Sequence, residues 1–366
     1  MERFVCPLCG WETAPGPEPC SCPTCQVPLR WERRVQPGDR AFLGRGVWRY
    51  RPLLPEGEPV TLGEGGTPLV RAPNPWGIEL WWKLEFLNPT GSFKDRGAAV
   101  MVAMLRTCGA EVLVDDSSGN AGAALAAYCA RAGLRAKLFV PAYASGPKLR
   151  QIEAYGAELV RVPGPRSAAS EAAQEACARD PRLIYASHNA SPYFVAGLQT
   201  LAFEMAEDLG WHAPDHVVVP LGGGGLFLGL VYGFALLVRL EHLEKMPRVH
   251  VAQAEACAPI VRALAQGLPE PAPVASGETV AEGARIPRPE RGREILKAAL
   301  LAGTVGVMVS EEEILATQKG LARAGLYVEP TAALAPAALP KLIQAGVIRP
   351  GETVVVPLTG FGLKAG

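Results

Sequence analysis

The feature that most constrains this chain is a repeated alternation of short apolar runs with alanine-rich helical stretches. Several of the runs exit into glycine, serine or threonine. Strands are expected at 112–116 (VLVDD), 137–141 (KLFVP), 158–163 (ELVRVP), 183–187 (LIYAS), 216–220 (HVVVP) and 353–357 (TVVVP). Helices are expected at 120–133, 146–157, 167–180 and 195–210, with Gly133 ending the first. Such alternation predicts an α/β fold: parallel-rich sheets flanked by helices. Ligands in these folds sit outside the carboxyl ends of the strands. The informative segments are therefore the exits at 117–122, 222–225 and 359–362. Residues 51–70 look like a Pro-rich linker, and 266–292 like a long surface loop.

The 366 residues suit two lobes with a sizeable core, and 49% hydrophobic against 20% charged content describes a folded chain. Lys+Arg and Asp+Glu both number 36, so the basic excess that drives nucleic-acid binding is missing. The first residues have no apolar signal core, and a cytoplasmic setting is expected. Residues 217–238 are uncharged and long enough for a membrane span. Four consecutive glycines would interrupt such a helix, so the segment is expected to be a strand, a glycine loop and a buried helix.

Of nine cysteines, five lie in the first 25 residues. Cys6 with Cys9, and Cys22 with Cys25, form two Cys-x-x-Cys pairs that can present four thiolates tetrahedrally, as zinc prefers. Cys20 could replace Cys22. The segment between the pairs is too short and Pro-rich to fold without a staple. No His or carboxylate joins the set, so the zinc is expected to be structural. A redox pair or a site that has lost its metal are the alternatives. An odd cysteine count without a secretory signal argues against a disulfide scaffold.

Four loops want one ligand. Gly222, Gly223, Gly224 and Gly225, between strand and helix, would let backbone N–H groups converge on a phosphate, though a flexible turn would use the same residues. Ser117, Ser118 and Asn120 could hold a carboxylate at a helix start, or the serines could simply cap it. Thr359 offers a hydroxyl to a ring nitrogen, or makes a turn. Lys94 follows NPTGSF and opens a helix. An amine that condenses with an aldehyde must be reachable, fixed and often unprotonated. The helix N-terminus and Phe93 would help; the alternative is an ion pair with Asp95. Pyridoxal phosphate bearing an amino acid needs all four features.

NPTGSFKDRG (88–97) resembles the cofactor-lysine motif of threonine synthases, within the β-family (fold type II) of pyridoxal-phosphate enzymes. SSGNAG (117–122), PLGGGG (220–225), TVAEG (279–283), EPTAA (329–333) and PLTGFGLK (357–364) resemble that family's motifs in the same order. The cysteine-rich start is similar to a ribbon that some members carry. The resemblance implies a two-domain fold like the tryptophan synthase β-subunit. Residues 1–30 would be a zinc ribbon, 31–96 with 196–366 a large cofactor domain, and 97–195 a small substrate domain. It also implies that Lys94 bonds the cofactor, Asn120 contacts its 3-hydroxyl, and Gly222, Gly223, Gly224 and Gly225 hold its phosphate. Thr359 would face the pyridine nitrogen, and Ser117, Ser118 and Ala121 the substrate carboxylate. A neutral hydroxyl at the ring nitrogen would favour elimination over transamination. The implied reaction turns O-phospho-L-homoserine and water into L-threonine and phosphate, in a homodimer.

One departure matters. The family pattern leads us to expect an Arg near Phe194 and a Lys near Gln199 for the substrate's phosphate, and neither is present. A dianionic leaving group calls for such a partner. Either another cation supplies it, Lys148 or Arg285 being candidates, or the substrate carries no phosphate. TVAEG also resembles serine/threonine dehydratase segments. A dehydratase or another β/γ-replacement enzyme is therefore the alternative. Outside enzymes, a zinc-ribbon protein could hold the cofactor without turnover. His188, His212, His216, His242 and His250 have no metal or triad spacing and read as ordinary surface or core residues.

Overall fold

The computed structural model describes residues 2–17, 21–35, 42–275 and 277–365. The N-terminal segment pairs antiparallel in the order β2–β1–β3, with β1 Glu2–Val5, β2 Glu12–Thr13 and β3 Arg30–Arg33. Both cysteine turns close on a residue of positive φ, Gly10 (78°) and Gln26 (54°). Their N–H groups donate to the Cys6 and Cys22 carbonyls at 3.0 and 2.9 Å.

Beyond the ribbon the chain enters a larger sheet through β4 (Leu69–Arg71) and β5 (Glu79–Lys83), then forms α1 (Lys94–Thr107). A strand–helix series follows: β6 (Val112–Asp115), α2 (Asn120–Ala132), β7 (Arg135–Pro141), α3 (Pro147–Ala154), β8 (Glu158–Val162), α4 (Arg166–Arg179) and β9 (Leu183–Tyr185). Helix α5 (Pro192–Asp208) returns to β10 (His216–Pro220), α6 (Gly225–Arg239), β11 (Arg248–Ala254), α7 (Pro259–Gln266) and α8 (Gly292–Leu301). The chain closes with β12 (Gly306–Val309), α9 (Glu311–Arg323), α10 (Pro330–Gln344) and β13 (Thr353–Pro357). The four-stranded sheet β8–β7–β6–β9 is parallel throughout; the six-stranded sheet β12–β11–β10–β13–β5–β4 is parallel except at its β4 edge.

The α/β expectation and the six strands read from the sequence are present within a few residues. Gly133 closes α2 at φ 72°, a left-handed conformation that glycine adopts without a Cβ penalty. Residues 217–238 are a strand, loop and helix, and among the described residues no helix is long and apolar enough to cross a membrane. Residues 51–70 are not a free linker. A 3-10 turn spans Val47–Leu53, Leu53, Leu54 and Val60 are buried, and buried Glu64 accepts from the Tyr128 hydroxyl at 2.9 Å. The apolar residues between the prolines make this segment part of the core.

Helix α5 is buried on all sides and mostly apolar, as a helix packed between others is, with Gln199, Thr200 and Glu204 as its buried polar residues. Its residues from Pro192 to Ala206 are buried, between α1 and α6. The α1–α5 crossing is tight at Gly197, where a Cβ would lie 2.3 Å from the Arg96 carbonyl oxygen.

Candidate active site

The lysine is anchored before it is aimed. Two residues beyond Lys94, the fully buried Arg96 guanidinium donates to both oxygens of Glu85 at 2.7 Å and to Glu204 at 2.8 and 3.0 Å. Lys83, also fully buried, donates to Glu204 and Asp208 at 2.6 Å. Buried charges persist only when paired in this way. Asp95 turns back to the Thr90 N–H and hydroxyl, at 2.6 and 2.5 Å, and so is spent on shaping the loop. The alternative Lys94–Asp95 ion pair is thereby replaced.

Lys94 Nζ lies 4.8 Å from the centre of the Phe93 ring and 5.6 Å from that of Phe194. Desolvation pushes its pKa down to about 8; Asp115 and Glu329 oppose the shift and Arg166 assists it.

The Phe93 N–H donates to the Thr359 carbonyl at 3.1 Å, Ser92 pairs with Gly360, and the Glu329 N–H donates to the Gly360 carbonyl at 3.0 Å. Three distant segments thus form one backbone lattice. Thr359 is buried and its Oγ1 has no partner. Asn120 opens α2 and donates through Nδ2 to Glu329 at 2.7 Å, while its buried Oδ1 has no partner. The N-cap of α2 is Gly119, with no side-chain cap, so Ser117 and Ser118 do not cap it. Ser117 is buried, with Oγ accepting from the Gly119 N–H at 3.3 Å; Ser118 is half-buried and Ala121 buried.

The four glycines lie between β10 and α6, whose N-terminus also has no side-chain cap. A Cβ at Gly223 would meet Asn189 Oδ1 at 2.2 Å. At Gly222 it would meet the Gly283 carbonyl oxygen at 2.8 Å, which sets the TVAEG segment against the glycine loop. Gly224 is the N-cap of α6 and has a left-handed backbone, with φ at 89°. A Cβ there would lie 2.2 Å from Ile295 Cδ1, on the α8 side of the loop. The turn and the packing of α8 thus call for a glycine at position 224 whatever the loop binds. Gly225 begins α6, and its Cβ would stand 3.3 Å from Leu198. The loop is a packed cradle, not a loose turn.

Sequence reasoning missed several residues here. Glu329 lies in a quoted motif, yet its bond to Asn120 and its 3.2 Å ion pair with Lys148 were not foreseen. Lys148 is therefore engaged, and Arg285 is exposed. His188 is buried at the exit of β9, with Nδ1 3.4 Å from Asp115 Oδ2. Burial lowers its pKa well below the usual 6.5, with Lys94 and Arg166 adding to the effect. His188 is a core residue, as expected, and it lies against Asp115 and Phe194. His216 and His250 are core residues, bonded to each other at 2.9 Å. Phe194 and Gln199, where cations were expected, are buried in α5.

The Sγ atoms of Cys6, Cys9, Cys22 and Cys25 lie within 4.8 Å of one another, a four-thiol set suited to a tetrahedral metal. Cys20 lies outside the described residues. Lys297 donates to the Pro7 carbonyl at 2.7 Å, and the fully buried Arg291 to those of Leu29, Asn189 and Ala190 at 3.0, 2.8 and 2.7 Å.

Unpartnered buried polar atoms are rare and call for an explanation. Asn120 Oδ1 and Thr359 Oγ1 find one in pyridoxal phosphate, whose 3-hydroxyl and ring nitrogen want such partners beside an aldehyde-binding amine and a phosphate cradle. The residues present fit that group.

A family model described as "Pyridoxal-phosphate dependent enzyme" matches residues 60–360. A threonine synthase of Methanosarcina acetivorans is 40% identical over 326 residues, 87% of this chain and 80% of that protein. One of Methanocaldococcus jannaschii is 38% identical over 329 residues, with the same coverage of 87% and 80%. Among solved structures, a threonine deaminase from the organism abbreviated T.th. superposes with a TM-score of 0.69 at 29% identity, covering 81% of this chain and 92% of that one.

Proposed function

The chain belongs to the pyridoxal-phosphate dependent enzyme family, and we propose that it is a threonine synthase, converting O-phospho-L-homoserine and water into L-threonine and phosphate. Membership in an enzyme family sets aside the alternative of a cofactor-holding binding protein. The observation that carries the cofactor assignment is the meeting of Lys94, Asn120 Oδ1, Thr359 Oγ1 and the glycine loop at the strand exits. The substrate rests on the threonine synthase relatives.

When bound, pyridoxal phosphate supplies an electron sink that makes the substrate's α-proton acidic. In the proposed roles, Lys94 bonds its aldehyde, and Phe93 shields that amine. Asn120 accepts from the 3-hydroxyl, Thr359 faces the ring nitrogen, and the N–H groups of Gly222, Gly223, Gly224 and Gly225 hold the phosphate. Ser117, Ser118 and Ala121 line the carboxylate site at the uncapped head of α2. Lys94 Nζ, once free, takes the α-proton and returns it later; its depressed pKa of about 8 suits both tasks.

For the substrate's phosphate, Lys148 is already paired with Glu329 at 3.2 Å and Arg285 is exposed; Arg166, exposed at the start of α4, is a further candidate cation. The proposed lobes are 31–96 with 196–366 for the cofactor and 97–195 for the substrate. Cys6, Cys9, Cys22 and Cys25 are proposed to hold a structural zinc, in a homodimeric, cytoplasmic enzyme.

Phe194 and Gln199 favour a second reading, elimination from serine or threonine. Phosphate release from O-phosphohomoserine, compared with ammonia release from the two hydroxy amino acids, separates them. Borohydride reduction of the loaded protein tests both: a cofactor adduct on Lys94 is expected, and its absence would remove the basis of either.

A further inference from the structure

We propose that His188, oriented by Asp115, is the general base that takes a proton from the water added at the substrate's β-carbon. The proposal rests on the threonine synthase reading and assigns to it a catalytic residue that the family comparison does not supply.

The geometry begins at two adjacent strand exits. Strands β6 and β9 are parallel neighbours, and they deliver Asp115 and the segment 187–189 to the same end of the sheet. His188 Nδ1 faces Asp115 Oδ2 at 3.4 Å, and the other Asp115 oxygen accepts the Asp116 N–H at 2.8 Å. A carboxylate that accepts from Nδ1–H fixes the tautomer and leaves the lone pair on Nε2.

The ring stands edge-on to Phe194 at 5.9 Å, and Lys94 Nζ approaches the same phenyl ring at 5.6 Å. The next residue, Asn189, places its Oδ1 against Gly223. His188 therefore sits between the amine and the phosphate cradle, where a substrate's side chain would extend. Ser187, just before it, has a buried Oγ without a partner, a second polar atom suited to a water or substrate oxygen.

The charged groups acting on this imidazole are Asp116 on the β6 exit, Lys94 on α1 and Arg166 on α4, besides the bonded Asp115. Burial dominates and keeps the ring neutral near pH 7, the form a base requires. In the step, a lone pair of the water oxygen forms the bond to the β-carbon. One O–H bond breaks, its electrons remain on oxygen, and its proton passes to Nε2. The pair of the Cα–Cβ double bond moves to Cα, which regains its proton from Lys94 Nζ. His188 later returns its proton to solvent.

The test uses His188→Asn, His188→Gln and Asp115→Asn. In the cofactor-free protein, two-bond proton–nitrogen NMR should find His188 as the Nδ1–H tautomer, and Asp115→Asn should disturb it. In the loaded His188 variants, borohydride trapping at Lys94 and α-proton exchange into deuterated water should stay within about threefold of wild type. Threonine formation should fall about 10²-fold, with substrate diverted to ammonia and a 2-oxo acid. An Nε2–H tautomer, or threonine formation unchanged in a folded His188 variant, overturns the base. Wild type that makes no threonine from O-phosphohomoserine overturns the functional reading, and the base with it.

Discussion

The main-chain N–H of Phe93 donates to the main-chain carbonyl of Thr359 at 3.1 Å. One hydrogen bond thus fixes the distance between the lysine's helix and the hydroxyl assigned to the ring nitrogen. Neither residue can shift alone.

That linkage makes Thr359 a clean test. Thr359→Val keeps the shape and the backbone bond but removes Oγ1. Turnover is expected to fall about tenfold or more, the cost of an unmade buried hydrogen bond, while Thr359→Ser retains most of it. Steady-state rates beside cofactor affinity check this; a fully active valine variant would refute the role.

Lys94 gives a pH prediction. With a pKa of about 8, roughly a tenth of the amine is unprotonated at pH 7, against about one part in three thousand for an ordinary lysine. Cofactor capture by the cofactor-free protein should accelerate as pH rises to about 8 and then level off. Stopped-flow absorbance would record it, and Lys94→Ala should abolish capture and turnover with the melting temperature little changed. For stability, a lysine pKa lowered on folding means that the unfolded chain binds more protons between about pH 8 and 10.5. This group's contribution therefore rises across that window.

Gly223→Ala should leave the fold intact, because the atom it meets, Asn189 Oδ1, ends a rotatable side chain. The methyl should nonetheless intrude on the cradle and weaken cofactor binding by about tenfold or more. A fluorescence titration with pyridoxal phosphate measures the loss, and unchanged affinity would sink the cradle.

Glu204→Gln should destabilise the protein by about 3–5 kcal/mol in urea melts, since it strips charge from a site holding two buried cations. Burial alone would raise this carboxyl's pKa; Arg96, then Lys83, override burial and hold it well below the usual range. The depressed value means stability that is present above the unfolded pKa and lost as pH falls from there through the folded one. The acid limb of the stability curve should therefore be flatter in the variant.

If the four thiols hold a structural metal as proposed, chelation or Cys6→Ser should lower the melting temperature before it lowers the rate per folded molecule. Loss of turnover at unchanged thermal stability would contradict this.

The sequence made most of the site legible because its parts are local. A lysine after NPTGSF, four glycines at a strand exit and a threonine at another strand exit each announce themselves within ten residues. What stayed hidden depends on long-range partners. Asp115 meets His188 across 73 positions, Arg96 meets Glu204 across 108, and Asn120 meets Glu329 across 209. No spacing rule connects such pairs, so His188 looked ordinary. The packing of Gly224 on Ile295 was hidden for the same reason. The segment 51–70 misled for another: its prolines outweighed the apolar residues that bury it.

Arg291 gives the ribbon a stake in the cofactor's surroundings. Its guanidinium is shared between the Leu29 carbonyl of the N-terminal module and the carbonyls of Asn189 and Ala190, beside the glycine loop. Were the module to unravel, the arm of this fully buried cation that Leu29 shares with Ala190 would keep one acceptor in place of two, and the clasp on that loop would slacken. A metal bound by the four thiols, far upstream in the chain, would then be felt at the glycine loop.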